Sequence, residues 1–289
     1  MTTDHMPTHY TTANYMTTNH MTIKISSLRI TVLSLLVLFL QACSTLVATP
    51  QTTSALSNAE QSPSNKKGAI EAWARVLQNY VNDIGFVDFS GLSKNPEDLH
   101  IYLRYISQVK ATDIEQKNER LAHYINSYNA LSMFNVISSN IPQSNAGLFA
   151  RYQFFIARKH TIGGEAMSLY AYENEVIRKL NEPRIHWALN CSAVSCPALP
   201  RIPFEAERLD EQLEREAKRF FSQSSNLRID HASQTVFLSE ILSFFPEDFV
   251  PAHAASLIAY ANRYATEAGN LSYRTAFIPY NWTIANWQR

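Results

Sequence analysis

The chain has 289 residues, of which 46% are hydrophobic and 17% charged, and its 25 basic residues balance 25 acidic ones. Because there is no basic excess of the kind that binds nucleic acid, no nucleic-acid partner is expected. The length suffices for one large domain or two small ones with a substantial core, so disulfides are optional for stability.

The only strongly apolar segment covers residues 30–40 and follows a short basic region that contains Lys24 and Arg29. It is too short to cross a bilayer, which takes about 20 residues, but it matches the core of a signal peptide. The sequence Leu40-Gln-Ala-Cys43 that follows resembles a bacterial lipoprotein box, in which the cysteine is lipidated and becomes the mature N-terminus. A buried helix that ends at a cysteine by chance is the alternative interpretation.

We therefore predict that residues 1–42 are a signal peptide. Residues 1–20 lack periodicity and precede Met21, and one interpretation is that they are a misassigned start of the chain. Residues 43–67 are predicted to be a lipidated Cys43 followed by a polar, flexible tether. The lipid would hold the protein on a membrane of the cell envelope, facing the periplasm, with the outer membrane as the expected one. Residues 68–289 contain no repeat and no Pro/Gly-rich break, and are predicted to form one domain.

Apolar residues at spacings of three and four predict a helix over residues 70–81. Asn95 and Pro96, followed by two acidic residues, predict the start of a second helix, and a long third helix is expected from Lys117 to about Ser139. The later predictions are a strand and turn over 154–164, a helix over 169–180, a short strand over 185–189, a helix over 206–221, a hairpin of 227–230 with 235–238, and a helix over 254–265. This order predicts an α+β fold, a helix-rich single domain with a small, mainly antiparallel sheet.

The segment His186-Trp-Ala-Leu-Asn-Cys191-Ser-Ala-Val-Ser-Cys196-Pro197 holds two of the three cysteines. A metal site is the least favoured interpretation, because the spacing is not Cys-x2-Cys and a fourth ligand would have to come from His160 or His231. No metal and no cofactor are therefore predicted. Export favours a disulfide between Cys191 and Cys196, since disulfides persist outside the cytoplasm.

The same segment also permits a thiol active site, in which Cys191 is the nucleophile and His186 or a distant histidine is the base. If residues 185–189 form a strand, His186 and Cys191 are too far apart along it to touch. The chain would then have to turn at Asn190 to bring them together.

Two further pairs of polar residues are candidates for a binding role. Asn126 and Asn129 lie three residues apart on one face of the long predicted helix, where they could clamp the backbone of a neighbouring loop or, alternatively, orient a catalytic imidazole or an oxyanion. Glu173 and Arg178 are five residues apart, which is off the best spacing for a helical ion pair, so they either lie on a solvated face or bond across the domain to the cysteine loop.

The chain resembles bacterial members of the uncharacterised DUF547 family over most of residues 70–287. The resemblance rests on several blocks in the same order, namely Gly85-Phe-Val-Asp-Phe89, residues 119–131, Leu169 with Glu173 and Arg178, His186 to Cys191, Ser195 to Leu199, Asp248-Phe249 and Ile278-Pro-Tyr-Asn-Trp282. It implies little about activity, because the family has no assigned function. Plant members keep the position of Cys191 but not that of Cys196, which implies a functional thiol at Cys191.

Two functional hypotheses follow. In the first, the protein is a thiol-dependent hydrolase or acyltransferase in which Cys191 attacks, His186 accepts its proton, and Asn126 or Asn129 assists. In the second, it is a non-catalytic, tethered binding or scaffolding module with a Cys191–Cys196 disulfide. The membrane is the predicted partner, through the lipid on Cys43, and the sequence identifies no protein or small-molecule partner.

Overall fold

The structure is a computed structural model, and it describes residues 65–287. The predicted signal peptide, the lipidated Cys43 and nearly all of the predicted tether lie outside the described residues. The first helix, α1 (Lys66–Tyr80), begins slightly earlier than expected because the Asn65 side chain accepts a hydrogen bond from the backbone N–H of Gly68. Such N-terminal caps fix where a helix starts.

Three helices follow α1 and build the first part of the core, with Trp73 of α1 stacked on Tyr102 at 5.4 Å between ring centroids. They are α2 (Phe89–Lys94), α3 (Glu97–Gln108) and α4 (Lys117–Ser138). The predicted long helix is confirmed in α4, and every residue of its stretch 121–136 is buried. Because a helix buried on all sides must be covered by other elements, α4 is the central element of the fold.

The segment after α4 is more helical than its sequence suggested. Helix α5 (Leu148–Tyr152) continues as a π-helical turn (Gln153–Ala157), and only then does the hairpin of β1 (Lys159–Ile162) and β2 (Glu165–Ser168) begin. The strand predicted over residues 154–162 is therefore wrong in its first half. The predicted turn is confirmed, since Gly163 and Gly164 connect the two strands with φ angles of 58° and 88°.

The helix predicted over residues 169–180 is present as three consecutive helical pieces. These are α6 (Leu169–Ala171), a π-helical turn (Tyr172–Ile177) and a 3₁₀ turn (Arg178–Leu180). The strand predicted over residues 185–189 is wrong, because a 3₁₀ helix (Pro183–Trp187) occupies most of it. Proline at its first position and a cap from the Glu182 side chain to the N–H of Arg184 favour this helical start over an extended chain.

The remaining elements form a second group around a small sheet. Helix α7 (Leu209–Phe221), preceded by a 3₁₀ turn (Ala206–Arg208), confirms the predicted helix, and β3 (Leu227–Asp230) and β4 (Thr235–Ser239) confirm the predicted antiparallel hairpin. Helix α8 (Ile241–Phe244) was not predicted, and α9 (Leu257–Ala261) is shorter than expected. The unpredicted strand β5 (Arg274–Ile278) pairs with β4 in parallel. Within the described residues, the strands form two small sheets, β1–β2 and β3–β4–β5, rather than the single sheet that was predicted.

The helix-rich α+β fold is thus confirmed, with two apolar clusters inside it. The first cluster is built on α1, α3 and α4 and includes Ile185, whereas the second includes Phe220, Phe249 and Trp187. Trp187 stacks on Phe220 at 4.5 Å. The 3₁₀ helix Pro183–Trp187 therefore joins the clusters and fixes His186 between them.

In the part of the chain that the structure describes, no helix combines the length and the apolar character that crossing a membrane requires.

Candidate functional site

A cleft of about 190 Å³ brings together His186, Cys191, Cys196 and Glu173, four of the residues singled out from the sequence. Most of its remaining wall is aromatic or aliphatic, formed by Tyr128, Phe155, Tyr170, Leu189, Pro197, Ile241, Phe244, Phe245, Tyr280 and Trp282. A concave, mainly apolar pocket with a few converging polar groups is the usual form of a small-molecule site. This cleft is accordingly the candidate functional site.

Cys191 and Cys196 form a disulfide in one wall of the cleft, with their Cα atoms 6.2 Å apart. This separation lies within the range that a disulfide can bridge, which supports the predicted pairing. The disulfide closes a ring of residues 191–196, and the side chain of Asn190 joins the two ends of this ring. It accepts from the N–H of Ser192 at 2.7 Å and donates to the carbonyl of Pro197 at 2.6 Å. Ser192 adopts a left-handed φ of 65°, which turns the chain back towards Cys196.

The hydroxyl of Tyr280 lies against both sulfur atoms, at 3.1 Å from Cys191 Sγ and 2.9 Å from Cys196 Sγ. Because a disulfide sulfur carries no hydrogen, the hydroxyl is the donor. The tyrosine is held in place by its backbone N–H, which donates to Glu240 Oε2 at 2.8 Å, and by ring contact with Trp282 at 4.5 Å. Burial, reinforced by the charge of Glu173, raises the pKa of Tyr280 above its ordinary value, so the donor proton is retained.

His186 is paired with a carboxylate rather than with a cysteine. Its Nε2 lies 2.7 Å from Asp248 Oδ2, and the imidazole stacks on Phe245 at 4.7 Å. Arg178 donates to both carboxylate oxygens of Asp248, at 2.6 Å to the Oδ2 that also faces His186 and at 2.9 Å to Oδ1, and its guanidinium lies 4.5 Å from the centre of the Phe245 ring. The imidazole, the guanidinium and the carboxylate therefore form one rigid cluster.

The charge of Asp248 fixes which nitrogen of His186 carries a proton. Burial alone raises the pKa of Asp248, but the hydrogen bonds and charges of His186 and Arg178 lower it to about 2. An ionised carboxylate is an acceptor only, so Nε2 of His186 carries the hydrogen. In the neutral ring Nδ1 is then the basic atom.

Glu173 supplies the acidic group of the cleft, from the π-helical turn that follows α6. Its Oε2 accepts from the Tyr128 hydroxyl at 2.7 Å. Burial raises the pKa of Glu173, while the Tyr128 hydrogen bond and the charges of His186 and Arg178 oppose the rise. Glu173 and Arg178 thus face different partners, and neither lies on a freely solvated face as one alternative had it.

The two asparagines of α4 hold backbone in place. Asn129 donates to the carbonyl of Ala188 at 2.9 Å and accepts from the N–H of Asn190 at 2.7 Å, so it clamps the chain between His186 and Cys191. Asn126 donates to the carbonyl of Phe204 at 2.8 Å and accepts from its N–H at 3.0 Å. These contacts fit the loop-clamp interpretation, and only the clamp of Asn129 reaches the site.

Sequence reasoning missed three contributors, Asp248, Tyr280 and Tyr128. The first two lie in the short blocks Asp248-Phe249 and Ile278 to Trp282, on which the family resemblance partly rests, so that resemblance could have drawn attention to them. Tyr128 lies between Asn126 and Asn129 in another such block, residues 119–131. Its approach to Glu173 depends on how α4 packs against the later π-helical turn.

The histidines considered as distant metal ligands lie elsewhere. His160 of β1 is fully buried with its ring 6.1 Å from that of Phe134, and His231 is exposed beside Glu267. Within residues 65–287, no three His, Cys, Asp or Glu side chains converge in a way that could hold a metal ion.

Comparison with protein families gave one match, to a model described as "Protein of unknown function, DUF547", over residues 112–221. The chain is similar to that family across this segment, which contains Asn129, Glu173, His186 and both cysteines of the cleft. Asp248 and Tyr280 lie beyond it. No curated protein and no solved structure matched the chain.

Proposed function

We propose that this protein is a binding protein of the cell envelope, tethered through a lipid on Cys43, whose cleft takes a small, mainly apolar ligand with one amine or hydroxyl group. The observation that carries the proposal is the composition of the cleft. Among the residues that line it, Glu173 alone carries a carboxyl group, and aromatic rings surround it. The disulfide in the wall keeps this shape rigid.

The size of the cleft limits the ligand. A cavity of about 150 Å³ accommodates benzene in other proteins, so 190 Å³ fits one aromatic ring or the end of a longer chain. An ammonium group beside Glu173 would favour the ionised carboxylate and offset its burial. The proposed ligand class is therefore a small aromatic or aliphatic amine.

Calorimetric titration with three molecules of one shape tests this proposal. Benzylamine is expected to bind with a Kd on the order of 1 mM, as suits a ligand of this size. Benzyl alcohol should bind more weakly. Phenylacetate should not bind detectably, because its carboxylate would be repelled by that of Glu173. Glu173→Gln should abolish the advantage of benzylamine over benzyl alcohol. Glu175→Gln, on the exposed side of the same π-helical turn, is the matched control and should change nothing.

Two results would refute the amine-binding cleft. One is phenylacetate binding as well as benzylamine, and the other is the absence of any heat or chemical-shift change at the cleft with all three molecules. The Gln variant keeps an oxygen that can accept from Tyr128, so a loss of affinity would not reflect a lost structural hydrogen bond.

A second candidate function is thiol-dependent acyl transfer or hydrolysis by Cys191 after the disulfide is reduced. The observation in its favour is the 2.7 Å pair of His186 and Asp248, since a carboxylate that orients an imidazole is the usual support of a catalytic base. The hydrogen bond of the His186 ring joins it to Asp248 rather than to Cys191, which is why binding is the first proposal.

Mass spectrometry of the reduced protein after exposure to p-nitrophenyl acetate separates the two functions. Acyl transfer predicts an acetyl adduct on Cys191 that turns over, that is lost in Cys191→Ser, and that forms at least tenfold more slowly in His186→Gln. Cys196→Ser is the control and should still acylate. Equal labelling of both cysteines, or no effect of His186→Gln, would exclude the catalytic assignment.

A further inference from the structure

We propose that the Cys191–Cys196 disulfide is a site of thiol–disulfide exchange, in which an external thiol attacks Cys191 Sγ and Cys196 leaves as the thiolate. This reactivity goes beyond ligand binding. It depends on which sulfur can accept charge and on what can reach the other one.

The disulfide is accessible from the cleft. Both cysteines are partly exposed and both line the cleft wall. Exchange requires a thiolate to approach one sulfur, so a disulfide sealed inside a core is inert. Here the cleft offers an approach route for a thiol whose remaining part is small and apolar.

The two sulfurs differ in their hydrogen-bond donors. Cys196 Sγ receives the backbone N–H of Cys191 at 3.0 Å and has the Tyr280 hydroxyl at 2.9 Å. Cys191 Sγ, by contrast, has the same hydroxyl at 3.1 Å as its one donor among residues 65–287. Negative charge that develops during exchange is therefore stabilised by two donors on Cys196, which makes it the better leaving group.

As the disulfide bond breaks, the Tyr280 hydroxyl can donate its hydrogen bond to Cys196 Sγ alone instead of sharing it between the two sulfurs. Its ring is fixed by Trp282 and its backbone by Glu240, so the donor stays beside the sulfurs when the disulfide opens. Glu173, whose carboxyl accepts from the Tyr128 hydroxyl, lies in the same cleft. When Glu173 is ionised, its charge repels thiols that carry further negative groups, such as carboxylates, relative to thiols whose remaining part is uncharged.

The reaction balances without any other reactant. A thiolate RS⁻, formed when RSH gives its proton to solvent, makes a new S–S bond to Cys191 and breaks the bond to Cys196, which takes the electron pair. A second thiol can then attack the mixed disulfide, releasing the oxidised pair RSSR and leaving the Cys191 thiolate. In total two thiols are oxidised and the protein disulfide is reduced to two thiols.

The experiment uses the intact oxidised protein and benzyl mercaptan, whose ring matches the cleft, with 2-mercaptoethanol and glutathione for comparison. After a brief reaction, free thiols are blocked with iodoacetamide and the peptides are mapped. We expect the benzylthio adduct on Cys191 and the blocking group on Cys196 in at least a tenfold excess over the reverse pattern. Benzyl mercaptan should react faster than the anionic glutathione when rates are compared per thiolate.

Tyr280→Phe removes the shared donor and should slow the exchange by roughly tenfold, because hydrogen bonds to charged groups are among the strong ones. Tyr152→Phe, at an exposed tyrosine that does not line the cleft, is the matched control and should react like the wild type. The mapping of the adduct in the wild type needs no variant, so it shows which sulfur is attacked even if Tyr280→Phe fails to fold.

The proposal is overturned if the adduct forms mainly on Cys196, if Tyr280→Phe reacts at the wild-type rate, or if the folded protein resists thiols that reduce an unconstrained disulfide peptide. The last result would make the disulfide a purely structural brace. Failure here is distinct from failure of the amine-binding proposal, because that titration leaves the disulfide intact and records no covalent change.

Discussion

Asp248 is the residue on which the orientation of His186 depends, and its charge should be visible in the stability of the protein. Its pKa of about 2 in the folded chain lies below the ordinary value of 3.8. A carboxyl group with a lowered pKa stabilises the fold above its ordinary pKa, and this contribution disappears as the pH falls from about 4 to about 2. The shift corresponds to about 2 kcal/mol of stability at neutral pH.

We therefore expect Asp248→Asn to lower the free energy of unfolding at pH 7 by about 2 kcal/mol. The difference from the wild type should shrink below pH 4 and vanish near pH 2. Urea unfolding at a series of pH values measures it, with the exposed Asp83→Asn as control. A difference that stays constant across this range would show that the charge of Asp248 is not its source.

Asn129 and Asn126 each bond to one buried backbone carbonyl and one buried backbone N–H, yet only one of them should affect the cleft. Each alanine substitution leaves that carbonyl and N–H without their partner, at a cost of roughly 2–4 kcal/mol, and Asn126→Ala also removes the acceptor of the Trp73 Nε1–H. Asn126→Ala should therefore lose at least as much stability in urea unfolding as Asn129→Ala. Only Asn129→Ala should also weaken benzylamine binding, because its clamp holds the backbone of Ala188 and Asn190; equal effects on binding would contradict this division.

At the scale of elements, a row of polar side chains along α4 organises the fold. Asn126, Asn129, Ser132 and Asn135 follow at intervals of three residues, and each bonds to a later part of the chain. A spacing of three keeps neighbours on adjacent positions of a helix, so the row forms a continuous stripe. One buried helix thereby holds three later parts of the chain, namely Phe154 of the π-helical turn, the segment 188–192 and Phe204, and its own sequence does not identify these partners.

The sequence predicted individual elements such as α4, but not the contacts that the polar side chains of α4 make with later parts of the chain. Local patterns were sufficient for α1, α4, α7 and the β3–β4 hairpin, since apolar periodicity and caps act within each element. The supposed strand over 185–189 failed because its short apolar run is buried between two clusters, where a 3₁₀ helix and a strand look alike in sequence. Of the site, the cysteines, His186 and Glu173 had recognisable chemistry, whereas Asp248 and Tyr280 reach it only through tertiary packing.

The C-terminal segment is the element that closes the cysteine ring. The backbone of Thr283 accepts from Val194 at 2.8 Å, and Ala285 donates to the carbonyl of Ser192 at 2.8 Å. The buried Ile284 anchors this pairing in the first apolar cluster. Loosening the anchor should therefore expose the ring as well as destabilise the fold.

We expect Ile284→Ala to lower the free energy of unfolding by about 2–5 kcal/mol, as for other buried isoleucines, and to speed reduction of the disulfide by dithiothreitol. Phe277→Ala, at an exposed position of β5, is the control and should cost less than about 1 kcal/mol. If reduction is no faster in Ile284→Ala than in the control, the C-terminal segment does not protect the ring.

At the scale of the whole molecule, the proposed envelope location would determine the redox state of the two cysteines in the cleft. A disulfide that lines an accessible cleft persists only outside the reducing cytoplasm. Because residues 1–42 contain two basic and one acidic residue, the chain that remains after their removal has a net charge of about −1. Such a charge gives little electrostatic attraction to an anionic membrane, so attachment would depend on the lipid rather than on the protein surface.

Replacing Cys43 by serine tests this dependence directly. The wild type is expected to incorporate an alkyne-labelled fatty acid, to sediment with membranes, and to have a mature N-terminus at Cys43. Cys43→Ser should lose the label and the cleavage, because lipidation of the cysteine and processing of the signal peptide are linked in the lipoprotein pathway that the sequence Leu40-Gln-Ala-Cys43 resembles. Cys196→Ser is the matched control and should behave like the wild type; processing of Cys43→Ser at the same position would show instead that this cysteine ends an ordinary apolar segment.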